Sequence, residues 1–144
     1  MVITIQEGFT NVEVIIKCPE ATDEVHKLVS ALHSYGQKLS GVKDGRTYLI
    51  DRLDVFYFES VDKRCYIYTE SDVYETALKL YEIEERLSEN KFFRNSKSQI
   101  LNLMKIKSLC PDFGNRIEVV MENGEKLIIS RQYSKLFKER LGLK

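Results

Sequence analysis

The sequence contains no tryptophan and little proline, glycine or histidine, with two, seven and two of these among 144 residues. This scarcity excludes a collagen-like chain and a linker-rich, low-complexity chain. No apolar run approaches the roughly eighteen residues that a membrane span needs, and the first ten residues lack the basic and apolar regions of a secretory signal. Hydrophobic residues make up 43% of the chain and charged residues 31%. We therefore expect a globular protein in the cytoplasm.

Cysteine and histidine are too few and too scattered for a recognisable metal or redox motif. Cys18, Cys65 and Cys110 are an odd number at long spacings, without a Cys-x-x-Cys pair. We expect them to be reduced, half-buried packing residues. His26 and His33 lie seven residues apart without a matching carboxylate or thiolate pattern, so we expect them at the solvent edge of a helix and predict no metal and no cofactor.

Catalytic motifs are also missing. The glycines are isolated, and no Gly-x-Ser-x-Gly sequence or neighbouring histidine base is present. One acidic cluster is either a set of acid–base or cation-binding groups or a set of turn and strand-end charges that keep sheet edges soluble. Its members are Asp51, Asp54, Glu59 and Asp62. We favour the second interpretation and predict a non-enzymatic protein without a small-molecule substrate.

The formal net charge is zero, but the charges are unevenly distributed along the chain. Residues 91–144 carry twelve basic and five acidic side chains, a surplus of seven positive charges, and residues 1–90 carry the opposite surplus. Such asymmetry indicates a polyanionic partner. The count leaves two alternatives open, because folding either gathers the basic residues on one surface or interleaves them with the acidic ones.

Apolar periodicity predicts a mostly β fold with a few helices (α+β). Runs rich in β-branched and aromatic residues, separated by turn residues, predict strands, and the Asn123-Gly124 pair predicts a hairpin. The predicted strands are 2–5, 12–16, 47–50, 55–60, 64–69, 92–94, 99–103, 106–109, 117–121 and 126–129. The first two would form an amino-terminal hairpin, and a turn is predicted at 41–45. Helices are predicted from Thr22 to Gly36, from Ala77 to Leu87 with Asn90 closing it, and from Ser130 to Leu141.

Two polar segments in the basic third have the side chains that DNA recognition needs. Segment 94–98 (Arg-Asn-Ser-Lys-Ser) follows Phe92 and Phe93, and segment 130–133 (Ser-Arg-Gln-Tyr) begins the last predicted helix. Arginine and lysine bind phosphates or guanine edges, asparagine binds adenine, and serine binds phosphate oxygens. A helix start adds free backbone N–H groups and a favourable dipole for an anion. Segment 94–98 alone is either a DNA contact or a polar turn, and the pair favours DNA.

Five ordered blocks of the sequence resemble the LytTR-type DNA-binding domain. They are 58–60 (FES), 93–98 (FRNSKS) with Ile100 and Asn102, 111–116 (PDFGNR), 123–126 (NGEK) and 130–133 (SRQY). The resemblance spans about Gly41 to Leu141. It implies a bacterial transcriptional regulator with small antiparallel sheets, preceded here by the predicted hairpin and helix, that binds direct-repeat promoter elements through loops in successive major grooves.

The resemblance also implies the DNA contacts. In the loop after the Phe-Arg strand, the implied contacts are Asn95, Ser96, Lys97 and Ser98. In the strand after Phe-Glu-Ser, they are Lys63, Arg64 and Cys65. Near the carboxy-terminal end of the domain, they are Arg131 and Gln132. Lys97, Asn95 and Arg131 are expected to read base edges. Cys65 and Gln132 depart from the family pattern, in which polar or basic side chains and a second arginine are common. Asn102 is either a contact or a turn-stabilising core amide, and we favour the latter.

The resemblance is to the short, stand-alone members of the family, which have no receiver domain. We expect residues 41–144 to be the LytTR-like DNA-binding domain and residues 1–40 to be an extension that dimerises the chain or has a regulatory role. The expected partners are double-stranded DNA, a second copy of the chain in a homodimer, and a membrane-protein inhibitor encoded nearby. The alternative function is a sensory or protein-interaction domain that does not bind DNA.

Overall fold

Antiparallel strands and three helices make up the regular structure of the described residues, which are 1–34, 38–87 and 91–143 of a computed structural model. The helices are α1 (Asp23–Ser34), α2 (Leu80–Leu87) and α3 (Arg131–Arg140). The strands are β1 (Lys38–Lys43), β2 (Arg46–Asp51), β3 (Tyr57–Val61), β4 (Arg64–Tyr68), β5 (Val73–Thr76), β6 (Phe92–Arg94), β7 (Gln99–Asn102), β8 (Ile106–Pro111), β9 (Ile117–Met121) and β10 (Lys126–Ile129). The predicted mostly β class is confirmed.

The strands form two sheets in which every pairing is antiparallel. Seven strands pair in the order β2-β1-β5-β4-β3-β7-β6, and three pair in the order β10-β9-β8. Contacts divide the chain into two units, Met1–Tyr35 and Gly36–Lys144. Both sheets belong to the second unit, and so do all the predicted DNA contacts.

The strands β3, β6 and β7 are buried on both faces, so that adjacent residues enter two different cores. Phe58 and Phe92 pack beneath α2 in one core, with ring centroids 5.6 Å apart. Phe93 packs against Phe137 of α3 in the other core, at 5.5 Å, together with the small sheet. Successive side chains of a strand point to opposite faces. The Phe92-Phe93 pair therefore joins the two cores at the strand that leads into segment 95–98.

Most elements predicted after residue 22 are confirmed, with shifted ends. The strand β5 was not predicted, and the turn predicted at 41–45 is shorter, because Gly41 belongs to the unpredicted β1 and only Asp44 and Gly45 adopt the positive φ angles of the turn. A Cβ atom on Gly41 would lie 2.6 Å from the Cβ of Tyr74. Gly41 is therefore required by the close approach of β5.

The helix α2 begins three residues later than predicted, because side-chain hydrogen bonds hold the preceding residues in a non-helical conformation. The Thr76 hydroxyl accepts from the Leu78 N–H at 3.2 Å, and the Glu82 carboxylate accepts from the Lys79 N–H at 3.1 Å. The latter bond is half of a capping box, which fixes the helix start. The predicted end at Asn90 lies outside the described residues.

The predicted amino-terminal hairpin is wrong for this structure. Residues 1–22 contain no regular helix or strand, and the side chains of the first predicted strand, such as Val2, are exposed to solvent. A two-stranded hairpin is only marginally stable unless a third strand or a helix covers its apolar face. Alternating β-branched residues therefore do not by themselves produce strands in this segment.

The cysteines differ from the expected half-buried state. Cys65 is buried, whereas Cys18 and Cys110 are exposed, and all three are free thiols. His26 and His33 are exposed on α1, as expected. Among the described residues no group of three or more His, Cys, Asp or Glu side chains is arranged to hold a metal ion, and none of the helices combines the length and apolar character that a membrane crossing requires.

Candidate nucleic-acid interface

The loop of residues 95–98 is shaped by Arg94 at the end of β6. The Nε of Arg94 donates to the backbone oxygen of Ser96 at 2.7 Å, and a terminal nitrogen donates to the backbone oxygen of Lys97. The other terminal nitrogen forms an ion pair with Glu84 of α2 at 2.8 Å. With its guanidinium bound in this way, Arg94 closes the loop and leaves Lys97 and Ser98 exposed. Its role here is to position its neighbours.

Asn95 lies in the interior, which corrects the expectation that its side chain reads a base. Asn95 as a whole is 0% exposed. Its amide nitrogen donates to the Gln99 side chain at 2.8 Å and to the Ile128 backbone oxygen at 3.0 Å. Its amide oxygen is buried without a hydrogen-bond partner among the described residues. A side chain in this state cannot reach a DNA groove. Asn95 therefore has a positioning role.

The same residue connects the loop to the start of α3. The backbone oxygen of Asn95 accepts from the Ser130 N–H at 2.8 Å, one residue before Arg131. The Ser134 hydroxyl anchors the helix from its other side by donating to the Asn115 backbone oxygen at 2.7 Å. Arg131 and Gln132 are both exposed. Two of the predicted contact segments are thus held next to each other by a backbone hydrogen bond.

The third predicted segment lies beside the loop on its other side. Lys63 is a turn residue between β3 and β4 with a φ angle of +67°, and Arg64 begins β4. The Ser60 N–H donates to the Ser98 backbone oxygen at 2.8 Å, which ties this hairpin to the loop. An open groove of about 620 Å³ is lined by residues of both, including Lys63, Arg64, Lys97 and Ser98. The structure therefore brings these predicted contacts onto one surface.

Sequence reasoning missed Lys79 as a member of this groove. Lys79 is exposed, lies directly before α2 and lines the same groove as Lys97. The sequence placed it inside a predicted helix, and only its positive charge could have indicated a contact.

Cys65 also lines the groove, but it is buried and its burial raises the pKa of its thiol. A buried neutral thiol at this position adds no charge to the surface.

A polar network supports the loop from behind. The Gln99 side chain, which accepts from Asn95, donates to Glu59 at 2.7 Å, and the Tyr68 hydroxyl donates to the same carboxylate at 3.2 Å. Tyr68 stacks on Tyr57 with ring centroids 4.2 Å apart. Burial, followed by the charge of Glu59, raises the pKa of Tyr68. Glu59 therefore serves as a structural acceptor in a central strand, which differs from the expected role of a charge that keeps a sheet edge soluble.

The charge surplus of residues 91–144 is diluted by folding. The unit Gly36–Lys144 contains twenty basic and seventeen acidic residues, because strands from both halves of the sequence share one sheet. The unit Met1–Tyr35 contains two basic and five acidic residues. Interleaving therefore accounts for much of the sequence asymmetry. The case for a polyanion partner rests on the local surface around residues 95–98.

Comparison with known proteins finds domains that are similar in sequence and in fold. A family model described as the LytTr DNA-binding domain matches residues 45–142. The solved LytTr DNA-binding domain of a putative methyl-accepting/DNA response regulator from Bacillus cereus superposes with a TM-score of 0.70 at 27% identity, covering 74% of this chain and 97% of that chain. The two β-rich folds are therefore alike over nearly the whole solved domain.

Two relatives illustrate the range of protein lengths. The Sensory transduction protein LytT of Enterococcus faecalis is 35% identical over 100 residues, which are 69% of this chain and 41% of that protein. A protein of Staphylococcus aureus strain NCTC 8325, described as an uncharacterized HTH-type transcriptional regulator, is 29% identical over 130 residues, which are 89% of this chain and 88% of that protein. The chain thus spans less than half of the first relative.

The helix-turn-helix wording of the second relative's description does not fit the surface found here. Among the described residues, strands separate each α-helix from the next. The predicted contacts lie on one loop, on the β3–β4 turn with the start of β4, and on one helix start. The match to the family model covers more than half of the chain and includes all nine predicted contact positions. The chain therefore belongs to the LytTr DNA-binding domain family.

Proposed function

We propose that this protein is a sequence-specific transcriptional regulator that recognises direct-repeat promoter elements of double-stranded DNA. Its loops would lie in successive major grooves, with Lys97 and Arg131 reading base edges. Ser96, Ser98 and Gln132 would bind nearby phosphates or bases, and Lys63 and Arg64 would bind the backbone. The protein would act in the cytoplasm of a bacterium and would have no enzymatic activity.

One observation carries this proposal, namely the convergence of three separate segments around residues 95–98. Hydrogen bonds of 2.8 Å connect that loop to Ser60 on one side and to Ser130 on the other. Side chains that are distant in sequence are thereby presented together and exposed. Exposed lysine and arginine on rigid supports suit DNA, because base readout requires a fixed register on the duplex.

Arg64 can bind DNA only if it exchanges its present partner, Glu75, for a phosphate. Its Nε lies 3.7 Å from a carboxylate oxygen of Glu75, and the two side chains are 69% and 43% exposed. An exposed pair at this distance contributes little to stability, so a phosphate can replace Glu75 as the partner at low cost. We therefore propose Arg64 as a phosphate contact.

The test is a fluorescence anisotropy titration of the chain with duplex DNA at several salt concentrations. Five or six phosphate contacts give a slope of about −5 in a plot of log affinity against log salt. An exposed lysine on β1, Lys38, provides the matched control, because its replacement by alanine should leave the slope unchanged. Affinity that is absent or independent of salt would instead support the sensory or protein-interaction alternative.

Direct-repeat recognition needs a separate comparison. A duplex selected from a random pool should contain two copies of one element, and deletion of either copy should weaken binding. Equal affinity for one-copy and two-copy duplexes would leave a DNA-binding protein but reject the direct-repeat part of the proposal.

We also propose that residues 41–144 form the DNA-binding domain, that the chain is a homodimer, and that residues 1–40 mediate dimerisation or regulation. The exposed apolar side chains of residues 1–22 support such a role.

A membrane-protein inhibitor encoded nearby is a further proposed partner. Co-expression of that neighbour with the full chain, followed by membrane fractionation, should move the chain into the membrane fraction. A chain that stays in the supernatant would reject this partner.

A further inference from the structure

The segment of residues 1–22 exposes an unusual number of large apolar side chains. Between 63% and 97% of the surface of each is exposed for Met1, Val2, Ile3, Ile5, Phe9, Val12, Val14 and Ile15. Single exposed apolar residues are normal, but a contiguous set indicates a binding surface. Because most of these residues are β-branched, an extended strand is the conformation that they favour.

Residues 12–18 have the alternation of a strand with one apolar face. In an extended chain, successive side chains point to opposite sides. One side would carry Val12, Val14, Ile16 and Cys18. The other side would carry Glu13, Ile15 and Lys17. The charged side thus has an acid and a base placed symmetrically about Ile15.

We propose that residues 12–18 pair with the same residues of a second copy of this chain, as antiparallel strands centred on Ile15. In this register Glu13 lies opposite Lys17 of the second copy. By the two-fold symmetry, Lys17 lies opposite Glu13 of the second copy, so the dimer contains two such pairs. Val14 then lies opposite Ile16, so that the apolar faces are continuous. Opposite charges and apolar residues that face each other directly stabilise antiparallel strands, and a two-fold interface requires such self-complementarity.

Charge complementarity selects this register over its neighbours. A parallel, in-register pair would place Glu13 opposite Glu13 and Lys17 opposite Lys17, which is unfavourable. An antiparallel pair centred on Val14 or on Ile16 would keep the apolar faces together. It would, however, place Glu13 opposite Ile15 in the first case and opposite Pro19 in the second. Only the centre at Ile15 satisfies both charges.

Dimerisation also explains why the hairpin predicted from the sequence is absent from a single chain. A two-stranded ribbon is marginal by itself. Residues 1–5 of each copy can widen it to four strands, with Ile5 opposite Val12 and Ile3 opposite Val14 on the apolar side. The apolar stripe of α1, which includes Val29 and Leu32 and is partly exposed in the single chain, can cover that side. The second copy would thus supply the strand that the hairpin lacks.

This inference deepens the homodimer part of the proposed function and rests on it. Its test uses the full chain without DNA, so its failure is distinguishable from a failure of DNA binding. Glu13→Lys and Lys17→Glu each replace two attractive pairs in the dimer with two repulsive ones. Each single variant should therefore raise the dimer dissociation constant by about tenfold or more, measured by sedimentation at low salt.

Restoration of the pairing distinguishes this register from a general charge effect. An equimolar mixture of Glu13→Lys and Lys17→Glu chains should form a heterodimer, because each lysine again faces a glutamate. The chain with both substitutions should dimerise like the wild type. A monomeric wild type at about 100 µM would overturn the proposal. Dimers that are unaffected by the single reversals, or a mixture that remains monomeric, would also overturn it.

Cross-linking measures the register directly. In a chain with Cys18→Ser and Cys110→Ser, the substitution Ile15→Cys places two thiols opposite each other across the two-fold axis, within reach of a disulfide. Mild oxidation should link this variant much faster than Val14→Cys, whose thiols would be offset diagonally. Equal linking rates, or faster linking of Val14→Cys, would overturn the centre at Ile15.

Discussion

In the loop of residues 95–98 a polar side chain is buried, whereas in residues 1–22 large apolar side chains are exposed. Asn95 is 0% exposed and Phe9 is 73% exposed. Both depart from the usual distribution, and in natural proteins such departures concentrate at functional sites. Asn95 connects two of the segments that are proposed to contact DNA within one chain. The exposed apolar residues have no such internal function and fit a second chain.

The largest difference in stability is expected between two phenylalanines, one in the buried core and one in residues 1–22. Phe58→Ala should lower the free energy of unfolding by about 3–5 kcal/mol, because the Phe58 ring is fully buried. Phe9→Ala should change it by less than about 0.5 kcal/mol in the monomer. Chemical denaturation of both variants at a protein concentration that keeps the chain monomeric measures the difference. Similar losses would show that residues 1–22 pack within the single chain.

The next largest effect is expected at Asn95. Asn95→Ala removes both amide hydrogen bonds and leaves the Ile128 backbone oxygen without this donor, so the free energy of unfolding should fall by about 1–3 kcal/mol. DNA affinity should fall as well, because the loop and the start of α3 lose a shared support. The exposed Asn11 offers a control, since Asn11→Ala should alter neither quantity. Unchanged stability of Asn95→Ala would reject the positioning role.

A smaller effect is expected at the stacked tyrosines behind the loop. Burial, followed by the hydrogen bond to Glu125, raises the pKa of Tyr57 above the ordinary value near 10. The unfolded chain therefore loses this proton first as the pH rises, so the contribution of Tyr57 to stability is constant below about pH 10 and falls above it. Tyr57→Phe should cost about 0.5–1.5 kcal/mol at neutral pH and flatten the alkaline fall. Denaturation between pH 8 and 11 tests this, and an unaltered alkaline slope would contradict it.

The smallest effect on stability is expected at the proposed base contacts. Lys97→Ala and Arg131→Ala should each change the free energy of unfolding by less than about 0.5 kcal/mol, because both side chains are exposed. Each should nevertheless weaken specific DNA binding by about 1–3 kcal/mol. Thermal unfolding and anisotropy on the same samples separate the two quantities. A large loss of stability would move these residues from the interface to the scaffold.

Local patterns predicted the parts of the fold that depend on neighbours in sequence. Asn123-Gly124 correctly indicated the β9–β10 hairpin. The apolar spacing of α3 indicated a helix correctly, but Phe137 is buried whereas Leu136 is exposed. The strand β5 (Val73–Thr76) was missed because its pairing with β1 and β4 is not visible in its own sequence. Its stability comes from tertiary partners that no local window contains.

The candidate site shows the same division. Residue type and order indicated Lys97 and Arg131 as exposed cations, and the structure exposes both. The burial of Asn95 could not be predicted, because its acceptor on Ile128 lies 33 residues away and asparagine in a polar turn is usually solvated. The hydrogen bonds of Asn102 to Val55 and Met104, by contrast, confirm the favoured core role of that amide.

The most direct test of the account is the ratio of affinities for a selected site and for a random duplex of equal length, at one salt concentration. Anisotropy titrations of the wild type and of Lys97→Ala give this ratio for each. The substitution should lower the ratio by about 5- to 150-fold, because Lys97 is proposed to read a base edge. Equal weakening on both duplexes would show that Lys97 binds only phosphate and would contradict the account.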